Sequence, residues 1–132
     1  MRGGGLHRWM VMQLESAASQ AGYWTRIEAY VGNGFADLII GKDDRLIVIE
    51  VELTPERIKR DVIKAQTIHA DLLLIVAADS SHIPRMRRQI DHNPGSEIPI
   101  LIRSYPSAIS MFTEIGGYLD RTQLHRTQTP NQ

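Results

Sequence analysis

Between Gly34 and Glu52 the chain reads Gly-Phe-Ala-Asp-Leu-Ile-Ile-Gly, then Lys-Asp-Asp-Arg, then Leu-Ile-Val-Ile-Glu-Val-Glu. Two short apolar runs rich in β-branched residues flank a polar turn of Lys42, Asp43, Asp44 and Arg45, which is the pattern of a β-hairpin. Acids sit inside those apolar runs: Asp37 in the first, Glu50 and Glu52 in the second. A carboxylate leaves water only at high cost unless it is paired or holds a cation. The two-residue period of a strand puts Glu50 and Glu52 on one face and Val51 on the other. Antiparallel pairing can bring Asp37 close to that pair. Three convergent carboxylates supply the hard oxygen donors that magnesium or manganese prefers.

The remaining elements are expected around this hairpin. Leu6, Met10, Leu14, Ala17, Ala18 and Ala21 recur at helical spacing after the glycines at 3–5, and Gly22 is a helix stop. Tyr23 to Val31 alternates as a strand and ends in the turn Gly32-Asn33-Gly34. Phe35 to Ile40 and Leu46 to Leu53 are the next two strands. Thr54 and Pro55 open a helix to about His69, with an apolar stripe of Ile58, Val62, Ala65 and Ile68 or His69 and polar faces carrying Lys59, Arg60, Asp61 and Lys64. Leu72 to Ala78 is an unbroken apolar run, as in a strand buried on both faces. Asp79-Ser80-Ser81 caps a helix from Ile83 to Asp91, which Asn93-Pro94-Gly95 ends. Pro99 makes Ile98 to Ile102 an edge strand or a strand start. A last short helix runs from Ser104 to about Ile115 and closes at Gly116-Gly117. The expected core order, αβββαβ followed by α-β-α, makes an α/β fold: a three-layer α/β/α sandwich around a mixed sheet.

Composition narrows the partners. With 132 residues the chain is read as one domain over 1–119 and a polar tail over 120–132. Fifteen basic residues balance fifteen acidic ones, so any nucleic-acid contact must rest on a local patch. The absence of cysteine excludes disulfides and thiolate metal sites and fits a cytoplasmic protein. No apolar run reaches the roughly 20 residues needed to span a membrane, and no signal-peptide core follows Met1. His69, His82, His92 and His125 have no ligand spacing, which argues against zinc. Gly32-Asn33-Gly34 lacks the Lys-Ser/Thr of a phosphate-binding P-loop.

The element order, an Asp at the start of the second strand and Glu-X-Glu at the end of the third together resemble the PD-(D/E)XK nuclease superfamily, with its restriction-endonuclease-like fold. The resemblance covers about Leu6 to Ala78. Asp37 matches the first acid of the motif, Glu50 the second and Val51 the variable position. Ala36 stands where the family often has Pro. Glu52 stands where it usually has Lys, and Lys64 on the next helix is the candidate to replace that lysine. The start of the chain with this core also looks similar to nuclease-like domains attached to bacterial helicases and secretion ATPases.

The resemblance implies a magnesium-dependent or manganese-dependent nuclease acting on DNA, more an endonuclease than an exonuclease. Asp37, Glu50 and the main-chain carbonyl of Val51 would hold the metal. Glu52 would bind a second ion or orient water, and Lys64 would stabilise charge on phosphate. His7, Glu15 and Gln66 are accessory candidates, each also accounted for as an ordinary helix residue. Arg85, Arg87 and Arg88 are candidates for phosphate contact, against the default of a solvated helix face. Trp9 and Trp24 are read as core. A homodimer and a helicase or ATPase partner are expected by the same resemblance. The rival reading keeps the fold without the chemistry: a decayed nuclease-fold module that binds nucleic acid or a protein.

Overall fold

The computed structural model describes residues 4–91 and 97–113. The expected turn at 93–95, the glycines at 116–117 and the polar stretch 120–132 lie outside those residues. Eleven elements follow in order: helix α1 (Gly5–Gln20), strands β1 (Trp24–Tyr30), β2 (Phe35–Lys42) and β3 (Arg45–Glu52), a 3₁₀ turn (Pro55–Arg57), helix α2 (Ile58–Thr67), strand β4 (Leu72–Ala77), a second 3₁₀ turn (Ser80–His82), helix α3 (Ile83–Asp91), strand β5 (Ile100–Ser104) and helix α4 (Tyr105–Thr113).

The five strands form one mixed sheet in the order β1-β2-β3-β4-β5. The first three are an antiparallel meander, and β4 and β5 run parallel to β3. The β2–β3 turn is tighter than expected: Lys42 pairs with Arg45, so only Asp43 and Asp44 turn, with Asp43 at φ +57. A two-residue hairpin loop needs such left-handed backbone, and Asp tolerates it. β5 is an edge strand, where the Pro99 just before it is harmless, and the Pro99 carbonyl accepts from Leu73 N at 3.0 Å.

The apolar strands are covered on both faces, giving an α/β architecture compatible with three α/β/α layers. On one face α1 and α4 pack against Leu38, Ile40, Ile47, Ile49, Val51, Leu74 and Val76. On the other α2 and α3 pack against Ile39, Val48, Leu73 and Ile75. β4 is buried along its whole length, as its unbroken Leu-Leu-Leu-Ile-Val-Ala run requires. Among the described residues no helix is long and apolar enough to cross a membrane.

Two tryptophans depart from the expected core. Trp9 is 50% exposed and leans on Tyr105, with ring centroids 5.5 Å apart. Trp24 is 51% exposed and lies across its strand partner Gly41. Apolar bulk alone cannot tell which face of an edge strand or a helix is covered. At Gly41 an added Cβ would overlap the indole of Trp24. Gly41→Ala is therefore expected to push that ring off the sheet at a cost of about 1–2 kcal/mol, visible as a lower urea midpoint and a shifted Trp emission.

Candidate functional site

The site forms where the meander comes apart. Between β2 and β3 the register ends at Leu38 opposite Ile49. One residue further along, side chains take over from the backbone ladder. Asp37 N–H donates to Glu50 Oε1 at 3.0 Å, and Val51 N–H donates to Asp37 Oδ2 at 2.9 Å. On the other edge of β2 the register pairs Ile27 with Leu38 and Ala29 with Ala36 but passes over Glu28 opposite Asp37, and Glu28 sits at φ +52. A non-glycine residue there stores on the order of 1 kcal/mol of strain. Asp37 thus lies at a local break in pairing on both of its sides. N–H and C=O of one strand residue point to the same neighbour, so the Val51 carbonyl faces β2 and this break as well.

Helices from both layers reach the break. From α1, His7 Nε2 lies 3.1 Å from Asp37 Oδ2; against an ionised carboxylate the ring nitrogen is the donor. From α2, Lys64 Nζ donates to the Phe35 carbonyl at 2.9 Å and stands 3.5 Å from Glu50 Oε2. Gly34 lies beside it: a Cβ there would be in ordinary contact with Lys64 Cε at 3.4 Å, and its φ of +153 suits glycine. One turn earlier on α2, the carboxyl of Asp61 meets Glu52. His7, Asp37, Glu50, Glu52, Asp61 and Lys64 are all buried, none more than 6% exposed.

Asp61 is the member of the cluster that residue order does not pick out, since its charge puts it on a polar face. Burial, the hydrogen bond with Glu52 and the negative charge of Glu50 and Glu52 push its carboxyl up to about 11, against a partial opposing effect of Lys64. At neutral pH Asp61 is therefore a neutral acid donating to Glu52. A signal was present: Asp61 stands between Ile58 and Ala65 at the i+3 position of the apolar stripe, where a carboxylate is out of place. His7 carries the same signature. The buried stripe of α1 is His7, Met10, Val11, Leu14, Ala17 and Ala18, whereas Leu6 is exposed.

The titration of Asp61 sets a pH dependence. The unfolded chain releases this proton near 3.8, its ordinary value, and the folded chain near 11. Between the two, the folded state holds a proton that the unfolded state has lost, so the contribution of Asp61 to stability falls as pH rises, by at most about 1.4 kcal/mol per pH unit. Asp61→Asn is isosteric with the neutral acid and removes that dependence. Its melting temperature is expected to exceed that of the wild type by a margin that widens from about pH 5 to about pH 9; a constant margin would mean that Asp61 is ionised in the fold.

The other expected residues are placed as follows. Asp37, Glu50, Glu52 and Lys64 come together, with His7 beside Asp37. Glu15 does not join them; it accepts a hydrogen bond from Thr25 Oγ1 at 2.6 Å, which ties α1 to β1. Gln66 is half-buried two residues past Lys64. Arg85, Arg87 and Arg88 are exposed on α3. Arg85 lies near Glu56, whose carboxyl is held below the usual range by a hydrogen bond from Thr54, by its own backbone and by the charges of Arg85 and His82.

The donor set suits a hard divalent cation in its chemistry, since four carboxyl groups face one ammonium and one imidazole. As the side chains stand, no group of three Asp, Glu or His among the described residues forms a ready-made cage. Protein N–H groups already occupy Asp37 Oδ2 and Glu50 Oε1. An open cleft of about 510 Å³ adjoins the cluster, lined by Glu28, Asn33, Gly34, Phe35, Arg57, Arg60 and Lys64. No family model matches the chain, and no curated protein matches it.

Proposed function

We propose that this chain is a metal-dependent nuclease of the PD-(D/E)XK type, with a restriction-endonuclease-like fold, that hydrolyses phosphodiester bonds of DNA. The observation that carries the reading is the buried trio of Asp37, Glu50 and Lys64 at the parting of β2 and β3, opening toward a basic cleft. Burying that many ionisable groups costs stability, and a catalytic centre is a physical reason to keep them. Lys64 also stands where the resemblance expects a displaced lysine.

Asp37 and Glu50, with the Val51 carbonyl, would hold magnesium or manganese; bound there, the ion would acidify a water molecule and neutralise charge on the scissile phosphate. The chain supplies the rest. His7 fixes the carboxylate of Asp37 through Oδ2. Asp61, as a neutral acid, fixes Glu52, which orients the attacking water. Lys64 Nζ, anchored on the Phe35 carbonyl, places a positive charge at the rim of the cleft, where a phosphoryl oxygen gaining charge in the transition state would be stabilised.

The test is manganese titration by calorimetry, followed by incubation of circular, linear and single-stranded DNA with magnesium or manganese. Saturable metal binding and cleavage abolished by chelator support the reading. If neither occurs, even with duplex present during the titration, it fails. A second reading has its own support. Lys64 offsets Glu50, His7 hydrogen-bonds Asp37, and Asp61 is neutral, so part of the negative charge is met without a cation. A module that binds nucleic acid or a protein without cutting would look the same. A homodimer and a helicase or ATPase partner rest on the resemblance alone.

A further inference from the structure

We propose that the cleft beside the cluster binds an unpaired nucleic-acid segment, stacking a base on Phe35 and Tyr30 and holding its backbone phosphates with Arg57 and Arg60. This deepens the nuclease reading and rests on it for the identity of the ligand. Phe35 and Tyr30 are directly opposite on β2 and β1, so their rings share one face of the sheet. They are the most exposed large hydrophobic side chains among the described residues, at 59% and 67%, and their centroids are 5.4 Å apart in an edge-to-face arrangement. The Tyr30 hydroxyl donates to the Gly32 carbonyl at 2.8 Å, which pins its ring to the loop beside the cleft. Phe35 itself lines the cleft.

The opposite wall comes from the start of α2. Arg57, Arg60 and Lys64 recur every three or four residues and so share one side of that segment, and all three line the cleft together with Phe35. With the Lys64 charge met by Glu50, Arg57 and Arg60 against Glu28 still leave the lining net positive within a chain of zero net charge. An aromatic platform beside a positive groove is the chemistry that recognises single strands, because every base has a π-face and every linkage a phosphate. A duplex hides its base faces in the stack and offers mainly backbone and groove edges. The volume is within the roughly 300–1,000 Å³ of sites that hold small ligands, enough for a nucleotide. Lys64 is shared between the cleft and the carboxylates, so a strand lying there passes the cluster.

The experiment is fluorescence anisotropy of a labelled oligothymidylate of about 12 nucleotides, compared with a blunt duplex, in EDTA so that nothing is cut. Wild type is expected to bind the single strand more tightly. Phe35→Ala, at an exposed position, is expected to lower the ratio of single-strand to duplex affinity about tenfold, with the fold retained and only the modest loss of stability that one exposed ring contact carries. Arg57→Ala with Arg60→Ala is expected to weaken single-strand binding and to flatten its salt dependence by about 1.4 in log–log slope for two phosphates. An oligouridylate separates RNA from DNA; tighter binding there assigns the cleft to RNA. Equal or better duplex binding, or no change in the ratio for Phe35→Ala, overturns the proposal. Cleavage is read separately. Strand binding without metal-dependent cutting would overturn the nuclease reading alone, and cutting with an unchanged ratio would overturn this one alone.

Discussion

Asp37→Asn is expected to abolish cleavage and metal binding while leaving the fold in place. On the proposed reading the carboxylate of Asp37 has a structural and a chemical role at once. Its Oδ2 accepts from Val51 N–H and from His7. Asparagine keeps an oxygen that can accept those bonds, so the loss of stability should stay near 1 kcal/mol. What it loses is the negative charge. A cation acting as a Lewis acid supplies several kcal/mol of transition-state stabilisation, and at about 1.4 kcal/mol per decade that is a loss of about a thousandfold or more in rate. Alanine would confuse the two roles, because it strands the Val51 N–H and His7 in a buried place at about 1–3 kcal/mol each. Calorimetry with manganese, urea denaturation and cleavage on the same preparation separate them. A stable Asp37→Asn protein that still cuts would remove Asp37 from the site.

Lys64→Ala is expected to be strongly destabilising, at about 3–5 kcal/mol. Glu50 is fully buried, and the Lys64 ammonium at 3.5 Å is the cation beside its Oε2. Truncation leaves a buried carboxylate without that charge and also releases the Phe35 carbonyl. The long aliphatic stem of lysine lies buried too, so packing is lost with the charge. If the ion pair accounts for most of the cost, combining Lys64→Ala with Glu50→Gln should recover much of it, because neither partner then carries an uncompensated charge. Urea midpoints of the two single variants and the double variant give the coupling directly. A single-variant loss below about 1 kcal/mol would indicate a pair served by water, as at a surface.

The two residues show where the sequence stops being enough. From residue order alone the acids at 37, 50 and 52 were out of place in apolar runs, and strand periodicity put Glu50 and Glu52 on one face. The same periodicities gave the meander, the crossover helices and the buried fourth strand, because each is a local pattern whose period is fixed by backbone geometry. They also gave the architecture, since strands that are apolar on both sides must be covered by helices on both sides.

Which helix residues turn inward was decided only by tertiary packing. On α2 the difference between a solvated Lys64 and a buried one is a matter of how the helix is rotated over the sheet, and the apolar stripe defines that rotation only coarsely. The packing of Ile58, Val62 and Ala65 against Ile39, Val48, Leu73 and Ile75 settles it. Asp61 was hidden for the same reason: a charge in a short stripe reads as solvated until a second carboxyl is known to face it. The exposure of Trp9 and Trp24 likewise depends on where the sheet and the α1–α4 layer end. The sequence by itself determined the strands, the layers and the acids that do not belong in them. Only the tertiary structure decided that His7, Asp61 and Lys64 surround those acids, because the energy of a buried charge depends on neighbours that are distant along the chain.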